Sequence, residues 1–245
     1  GFVRDRRREE ATVVLRAVLD SLNARRVRWA AAFLDVANAF PSLTRSAAAQ
    51  AVQRCARPGD VDLVCQRQWR ATAMVRGGDG VAVWSEPSVG TMQGDGPSPL
   101  IFGDAYDRCH EGVVEDFATL RDDMALTFVE PCSGSAVCLN RARFADDAAH
   151  IFVQASLPSL RRRMDDLARA VGAGFSRIGL RQQPSKLQVL GTFNSTKEAE
   201  AAEREWPTKS GLPRGCAVHL GQLLHPSGAL AYEVKARIAS ATIGW

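Results

Sequence analysis

The sequence predicts an α+β fold in which an antiparallel central sheet is flanked by helices. Apolar residues recur at helical spacing in two long stretches, Ala11 to Leu22 and Leu160 to Phe175. Short apolar runs such as Trp29 to Val36 and Ile151-Phe152-Val153 read as strands. Helices and hairpins are mixed along the chain, an order that suggests antiparallel pairing.

The first helix carries Val14, Val18 and Leu22 on one stripe, flanked by Leu15 and Leu19. A buried strand, Trp29 to Val36, ends in Phe33-Leu34-Asp35-Val36. Thr44 to Ala56 is Ala-rich and reads as a helix capped by Ser42 or Thr44. Pro58-Gly59 breaks it, and Asp60 can cap the next helix, through about Arg70. Ala73-Met74-Val75 and Val81-Ala82-Val83-Trp84 flank Gly77-Gly78-Asp79-Gly80 and read as a hairpin. Pro97 to Phe117 reads as a helix, since Pro suits a first helical turn. Leu126 to Asn140 has no clear period and reads as a surface excursion. Arg143 to Val153 reads as two short strands around an Asp-Asp tip. Ser156 and Pro158 open an amphipathic helix with the stripe Leu160, Met164, Leu167, Val171 and Phe175, ended by Gly179. Leu187 to Leu190 is a short strand. Lys197 to Glu205 is helical in propensity, has no apolar face and reads as an insertion. Val218-His219-Leu220-Gly221 and Leu223-Leu224 form a hairpin around Pro226-Ser227-Gly228, and Tyr232 to Thr242 begins a last helix.

At 245 residues with 46% hydrophobic content, the chain can bury a sizeable core. No apolar run approaches the ~20 residues needed to cross a bilayer, so no membrane partner is expected. Nothing resembles a signal peptide, and the chain reads as a piece of something longer. Net charge is only +4, from 31 basic and 27 acidic residues, so clustering says more than balance. Arg4, Arg6, Arg7 and Arg8 group together, as do Arg25, Arg26 and Arg28, and Arg161, Arg162 and Arg163. Each group is either a phosphate-binding patch or a solvated helix face. The six cysteines, at 55, 65, 109, 132, 138 and 216, form no zinc pattern; Cys132 and Cys138 could pair, and reduced thiols are the favoured state.

Two acidic features stand out. Asp35 ends an apolar strand, where a carboxylate is costly unless a cation or a cap partners it. Asp146 and Asp147 lie side by side between Phe144-Ala145 and Ile151-Phe152-Val153. Like charges this close raise each other's pKa unless a cation intervenes. At a hairpin tip they are either metal ligands or a solvated turn. Hard oxygen donors of this kind suit Mg²⁺.

Taken in order, several segments resemble the motifs of reverse transcriptases. Phe33-Leu34-Asp35-Val36-Ala37-Asn38-Ala39-Phe40 is similar to the first catalytic motif. Gln93-Gly94-Asp95-Gly96-Pro97-Ser98-Pro99 is similar to Gln-Gly-Asp-Pro-x-Ser-Pro, and Phe144-Ala145-Asp146-Asp147 to the Tyr/Phe-Ala-Asp-Asp tip. Gly179-Leu180 with Lys186 and Val189-Leu190 resembles the next motif, His219-Leu220-Gly221 the Tyr-Leu-Gly primer grip, and Gly1-Phe2 with Arg6 the opening of the fingers. The style is nearest to non-LTR retrotransposons, with group II intron enzymes close by.

The resemblance implies a polymerase palm with partial fingers. It divides the chain into fingers and insertion (1–30, 42–90), palm (31–41, 91–215), and primer-grip hairpin with the start of a thumb (216–245). It implies an RNA-directed DNA polymerase that adds dNTPs to a DNA primer on an RNA template. Asp35, Asp146 and Asp147, with the Val36 carbonyl, would bind two Mg²⁺ ions, with Mn²⁺ as a substitute. Phe40 would be a steric gate against the ribose 2′-hydroxyl, or else plain core packing. Gln93, Gly94 and Asp95 would lie against the nascent base pair, or else form a turn before a helix. Lys186 would protonate the departing pyrophosphate, or else be an exposed strand lysine. His219, Leu220 and Gly221 would support the primer end, or else form an ordinary hairpin.

The chain departs from the family at Pro41, Gly96, Pro97, Gln183 and His219. The resemblance also implies further domains of a polyprotein, such as an endonuclease, and a nuclear, intracellular setting. Two other readings remain open: a degenerate palm that only binds nucleic acid, and an RNA-templated RNA polymerase, which tends to have Gly where this chain has Ala145.

Overall fold

The run Trp-Ala-Ala-Ala-Phe-Leu at 29–34 has no polar face, so a strand built from it has to be covered on both sides. In the computed structural model that is its place. The structure describes residues 8–70, 72–86, 89–92, 94–116, 126–129, 132–153, 156–183, 186–193, 195–205, 212–214, 216–220, 222–229 and 231–243. In chain order the elements begin α1 (Arg8–Ala24), β1 (Trp29–Leu34), β2 (Val36–Ala37), α2 (Ala39–Ser42), α3 (Arg45–Cys55), α4 (Val61–Trp69), β3 (Ala73–Arg76), β4 (Ala82–Ser85) and α5 (Ser98–Asp116). They continue β5 (Thr127–Val129), β6 (Ala136–Cys138), β7 (Arg141–Phe144), β8 (Asp147–Val153), α6 (Leu157–Arg177), β9 (Arg181–Gln182) and β10 (Gln188–Gly191). Last come α7 (Thr196–Glu205), β11 (Leu212–Arg214), β12 (Ala217–His219), β13 (Gln222–Leu224) and α8 (Ala231–Ile243).

β1 is the middle strand of a five-stranded sheet ordered β11-β10-β1-β8-β7. It is antiparallel to both neighbours, as expected; β11 is the exception and runs parallel to β10. Ala30, Ala32 and Leu34 face a core made with Phe102 and Tyr106 of α5 and Met164, Leu167, Val171 and Phe175 of α6. Trp29, Ala31 and Phe33 face Leu15, Val18, Leu19 and Leu22 of α1, with Ala217 and Leu224 of the last hairpin. The two helices whose stripes were legible in the sequence therefore cover opposite sides of one sheet, although Val14 of the first stripe is exposed and Leu15 and Leu19 take its place. Each fully buried Leu, Met or Phe contributes about 1.5–3 kcal/mol of transfer free energy. A third cluster packs α3 and α4, through Leu43, Ala48, Ala51, Val52 and Cys65, on Ile101 and Ala105 of α5.

Of the two expected caps for α3, Thr44 is the one used: its Oγ1 accepts from the Ala47 amide at 3.3 Å, while Ser42 belongs to α2. Asp60 makes no side-chain cap, because Pro58–Asp60 forms a 3-10 turn that runs straight into α4. Gly179 follows α6 with φ +82°, and a Cβ there would come within 2.5 Å of the Ser42 carbonyl oxygen, so only glycine fits.

Four expectations need correcting. The strand from Trp29 to Val36 is split at Asp35, because the Asp35 carbonyl accepts from the Gln183 amide at 2.9 Å and the chain steps from β1 to the β2–β9 ribbon. Leu126 to Asn140 is not merely a surface excursion: Leu126 is fully buried in the α1-side core and leads into the β5–β6 ribbon. The helix at 196–205 does have an apolar contact, the buried methyl of Ala202, and Glu198 pairs with Arg28 at 3.3 Å. Finally, His219 pairs with Gln222, so the last hairpin reverses between these two residues, and Pro226-Ser227-Gly228 comes after it. All six cysteines are free thiols. Among the described residues no helix is long and apolar enough to cross a membrane.

Candidate active site

Register brings the acidic residues together. Leu34 of β1 pairs with Ala148 of β8, so one further step along both strands sets Asp35 beside Asp147. Phe144 pairs with Asp147 across the β7–β8 hairpin, which leaves Ala145 and Asp146 as a two-residue tip. Ala145 takes φ +57°, a left-handed conformation that costs a residue with a Cβ about 1–2 kcal/mol. From the helical layer, the Tyr106 hydroxyl donates to the Asp146 carbonyl at 2.8 Å. Lys186 reaches in from the segment before β10, its Nζ 2.7 Å from Asp35 Oδ2.

These groups border a cleft of about 430 Å³, lined by Asp35, Asp146, Asp147 and Lys186 on one side and by Gln188, Val218, His219 and Leu220 on another. Crowding marks its electrostatics. Burial raises the Asp146 carboxyl pKa, and Asp35 adds to the rise, against its own backbone amide and Lys186. Burial, then Asp146, then Asp35, push Asp147 up to about 6, with Lys186 opposing. The hydrogen bond to Asp35 raises Lys186. Asp35 is thus turned toward a lysine, and among the described residues no three His, Cys, Asp or Glu side chains converge as a metal-holding group. The donor set still suits a hard divalent cation: three carboxylates border one cleft, and two of them are held protonation-prone by burial and by neighbouring carboxylates.

Its fold is shared with telomerase. An apo telomerase from Candida tropicalis matches with a TM-score of 0.57 at 12% identity, over 90% of this chain and 35% of that one. A form of it truncated from the C-terminal domain matches at 0.55 and 14%, over 77% and 36%. A Candida albicans telomerase in complex with a TWJ fragment of telomeric RNA matches at 0.53 and 11%, over 77% and 30%. The chain spans about a third of the length of these structures. The likeness is one of fold alone, and it does not favour a non-LTR or group II intron type. No family model matches the chain, and no curated protein does.

The other expected site residues fall in several places. Val36 is buried in β2, directly after Asp35. His219 and Leu220 line the cleft; His219 is 4% exposed, its ring lies 4.9 Å from that of Phe33, and burial pushes its pKa down to about 4. Gln93 and Gly221 lie outside the described residues, as do Gly1, Phe2 and Arg6. Phe40 does not line this cleft. Its ring is partly buried against Phe102, with centroids 4.8 Å apart. Its carbonyl accepts from the Thr91 amide at 2.9 Å, which brings Thr91 alongside.

Gly94 has φ +89° and open space where a Cβ would be. Asp95 is engaged elsewhere: it accepts from Arg67 Nη2 at 2.5 Å and from Gln68 Nε2 at 2.6 Å, and so clamps α4. Asp95→Ala would leave the buried Gln68 amide with only a long contact to Ser98, at 3.4 Å. A loss of about 1–3 kcal/mol is expected in urea unfolding, with Asp95→Asn losing less.

Two contributors escaped the sequence reading. Tyr106 belongs to the stripe Phe102, Tyr106, His110 and Val113 on α5, which signals a core face and nothing about the tip. Gln188 donates from Nε2 to the Val218 carbonyl (3.3 Å) and accepts at Oε1 from the Val218 amide (3.1 Å). Its side chain stands in for a strand rung and ties the β12–β13 hairpin to the sheet beside the acids. Arg28 is engaged by Glu198, and Arg25 lies 6.0 Å over the Phe128 ring, whereas Arg161 and Arg162 are exposed on α6.

Proposed function

We propose that this chain is the catalytic palm of an RNA-directed DNA polymerase. The observation that carries the reading is that Asp35, Asp146 and Asp147, separated by 110 residues of sequence, border one cleft that the His219–Leu220 turn also lines. Two Mg²⁺ ions bound there would lower the pKa of a primer 3′-hydroxyl and neutralise the pyrophosphate leaving group. Asp35, Asp146, Asp147 and the Val36 carbonyl would hold them. Lys186, which pairs with Asp35, would give a proton to the departing pyrophosphate. The hairpin of His219 and Leu220, fixed by Gln188, would support the primer end.

An RNA template, a DNA primer and dNTPs are the proposed partners. The fold likeness to a telomerase bound to an RNA fragment supports RNA as one of them. The retroelement origin and any companion endonuclease rest on the sequence motifs alone. The test is primer extension by the protein in its full length, on an RNA template with Mg²⁺ and dNTPs. Extension by the wild type and none by Asp146→Ala is the expected result; equal activity in both would overturn the assignment. Phe40 is proposed as the gate next to the nucleotide. Phe40→Ala is expected to lower the preference for dNTP over rNTP by about tenfold or more, read from the ratio of kcat/KM values; an unchanged ratio would leave Phe40 a packing residue on Phe102.

A further inference from the structure

The Asp146 tip is an unstable shape to leave alone. Ala145 is held at φ +57°, and the Asp146 and Asp147 carboxylates stand on adjacent residues of the tip. A two-residue turn under backbone strain, carrying neighbouring negative charges, tends to splay. Tyr106 opposes this from behind. Its hydroxyl donates to the Asp146 carbonyl at 2.8 Å, and its ring is 1% exposed. The ring is wedged by a stack on Phe102 at 5.4 Å, the edge of His110 at 4.5 Å and Phe175 at 5.7 Å. A side chain so enclosed holds its hydroxyl in one place.

We infer that Tyr106 is a positioning residue: by holding the Asp146 carbonyl it sets the direction of the Asp146 carboxylate, and with it the affinity of the cleft for divalent cations. This rests on the polymerase reading of the same cleft. Groups that orient metal ligands from behind typically change metal affinity 10–100-fold when removed.

Tyr106→Phe deletes the hydroxyl and keeps the ring. His110→Phe changes the packing around the ring and keeps the hydroxyl. Mn²⁺ binding to the chain, measured by calorimetry, is expected to weaken about tenfold in Tyr106→Phe and to be unchanged in His110→Phe. In the full-length protein, half-maximal extension should need about ten times more metal in Tyr106→Phe, with the KM for dNTP unchanged. Wild-type Mn²⁺ affinity in Tyr106→Phe, even with lower thermal stability, would overturn the inference, as would equal weakening in both variants. If the wild type bound Mn²⁺ no better than Asp146→Ala, the fault would lie with the metal reading of the cleft, and both proposals would fall.

Discussion

Asp147→Asn is expected to lose about three orders of magnitude in primer extension and at the same time to make the metal-free chain more stable. The first effect follows from the proposed role. A ligand that helps stabilise charge in the transition state is worth several kcal/mol, and each 1.36 kcal/mol is tenfold in rate. The second follows from the geometry. Burial and the neighbouring Asp146 and Asp35 hold the Asp147 carboxyl at about 6, above its ordinary value of 3.8. A raised carboxyl binds protons more readily folded than unfolded, so its charge destabilises the fold above about pH 6 and ceases to do so below 3.8. The neutral amide removes that penalty. Because the side chain is partly solvated, a gain of about 1–2 kcal/mol at pH 7 is the expected size. Urea unfolding without divalent cations, at pH 7 and again near pH 4, checks it: the gain should be present at the first and gone at the second. A variant that lost activity and stability together would instead make Asp147 a structural residue.

Acid is expected to unfold this protein through two buried histidines. His110 and His150 stack with centroids 5.4 Å apart, at 0% and 4% exposure. Both ring nitrogens of His110, and Nε2 of His150, have no hydrogen-bond partner among the described residues. Burial, then His150, Arg143 and Arg141, drives the His110 pKa well down, and burial, then Arg141 and Arg143, drives that of His150 to about 3. The folded state therefore refuses protons that the unfolded chain accepts below about 6.5. Stability should be flat above that pH and fall as pH drops, by about 1.4 kcal/mol per pH unit for each histidine.

Over two pH units His150 alone costs about 3 kcal/mol, a large part of the 5–15 kcal/mol that holds a typical domain together, and His110 acts in the same direction. His219, pushed down to about 4, adds to the fall, while Asp147, raised to about 6, acts against it between about pH 6 and 4, and Asp146, also raised, acts in the same direction. Unfolding curves across pH 4 to 8 give the measurement. His110→Phe should remove about one proton's worth of slope below pH 6.5; an acid limb as steep as the wild type's would show that the stack does not control it.

The carboxylates were legible because charge at the end of an apolar run is a conflict a reader can see. Asp35 closes Trp29 to Leu34, and Asp146-Asp147 interrupts Phe144 to Val153. The helices on the two sides of the sheet were legible for the same kind of reason: a stripe such as Leu160, Met164, Leu167, Val171 and Phe175 must face something dry. Asp95 shows where that reasoning stops. Its motif pointed to a nascent base pair, yet its carboxylate holds Arg67 and Gln68 of α4. Nothing local to Asp95 names partners 27 and 28 residues away. Leu126 and Ala202 were misjudged because one apolar side chain in a polar stretch makes no period, although a single buried methyl is enough to dock an element.

By itself the sequence determined the type of each long element, the residues that must be dry and the acids that must find a cation or a partner, since those follow from periodicity and from the cost of burying charge. The tertiary structure alone decided that β1 lies between β8 and β10, in the register that sets Asp35 beside Asp147. It alone decided that Lys186 rests on Asp35, that Tyr106 braces the tip and that Gln188 anchors the last hairpin. Pairing register and long-range hydrogen bonds depend on how two distant segments meet, and a pattern read along one segment carries no information about the other.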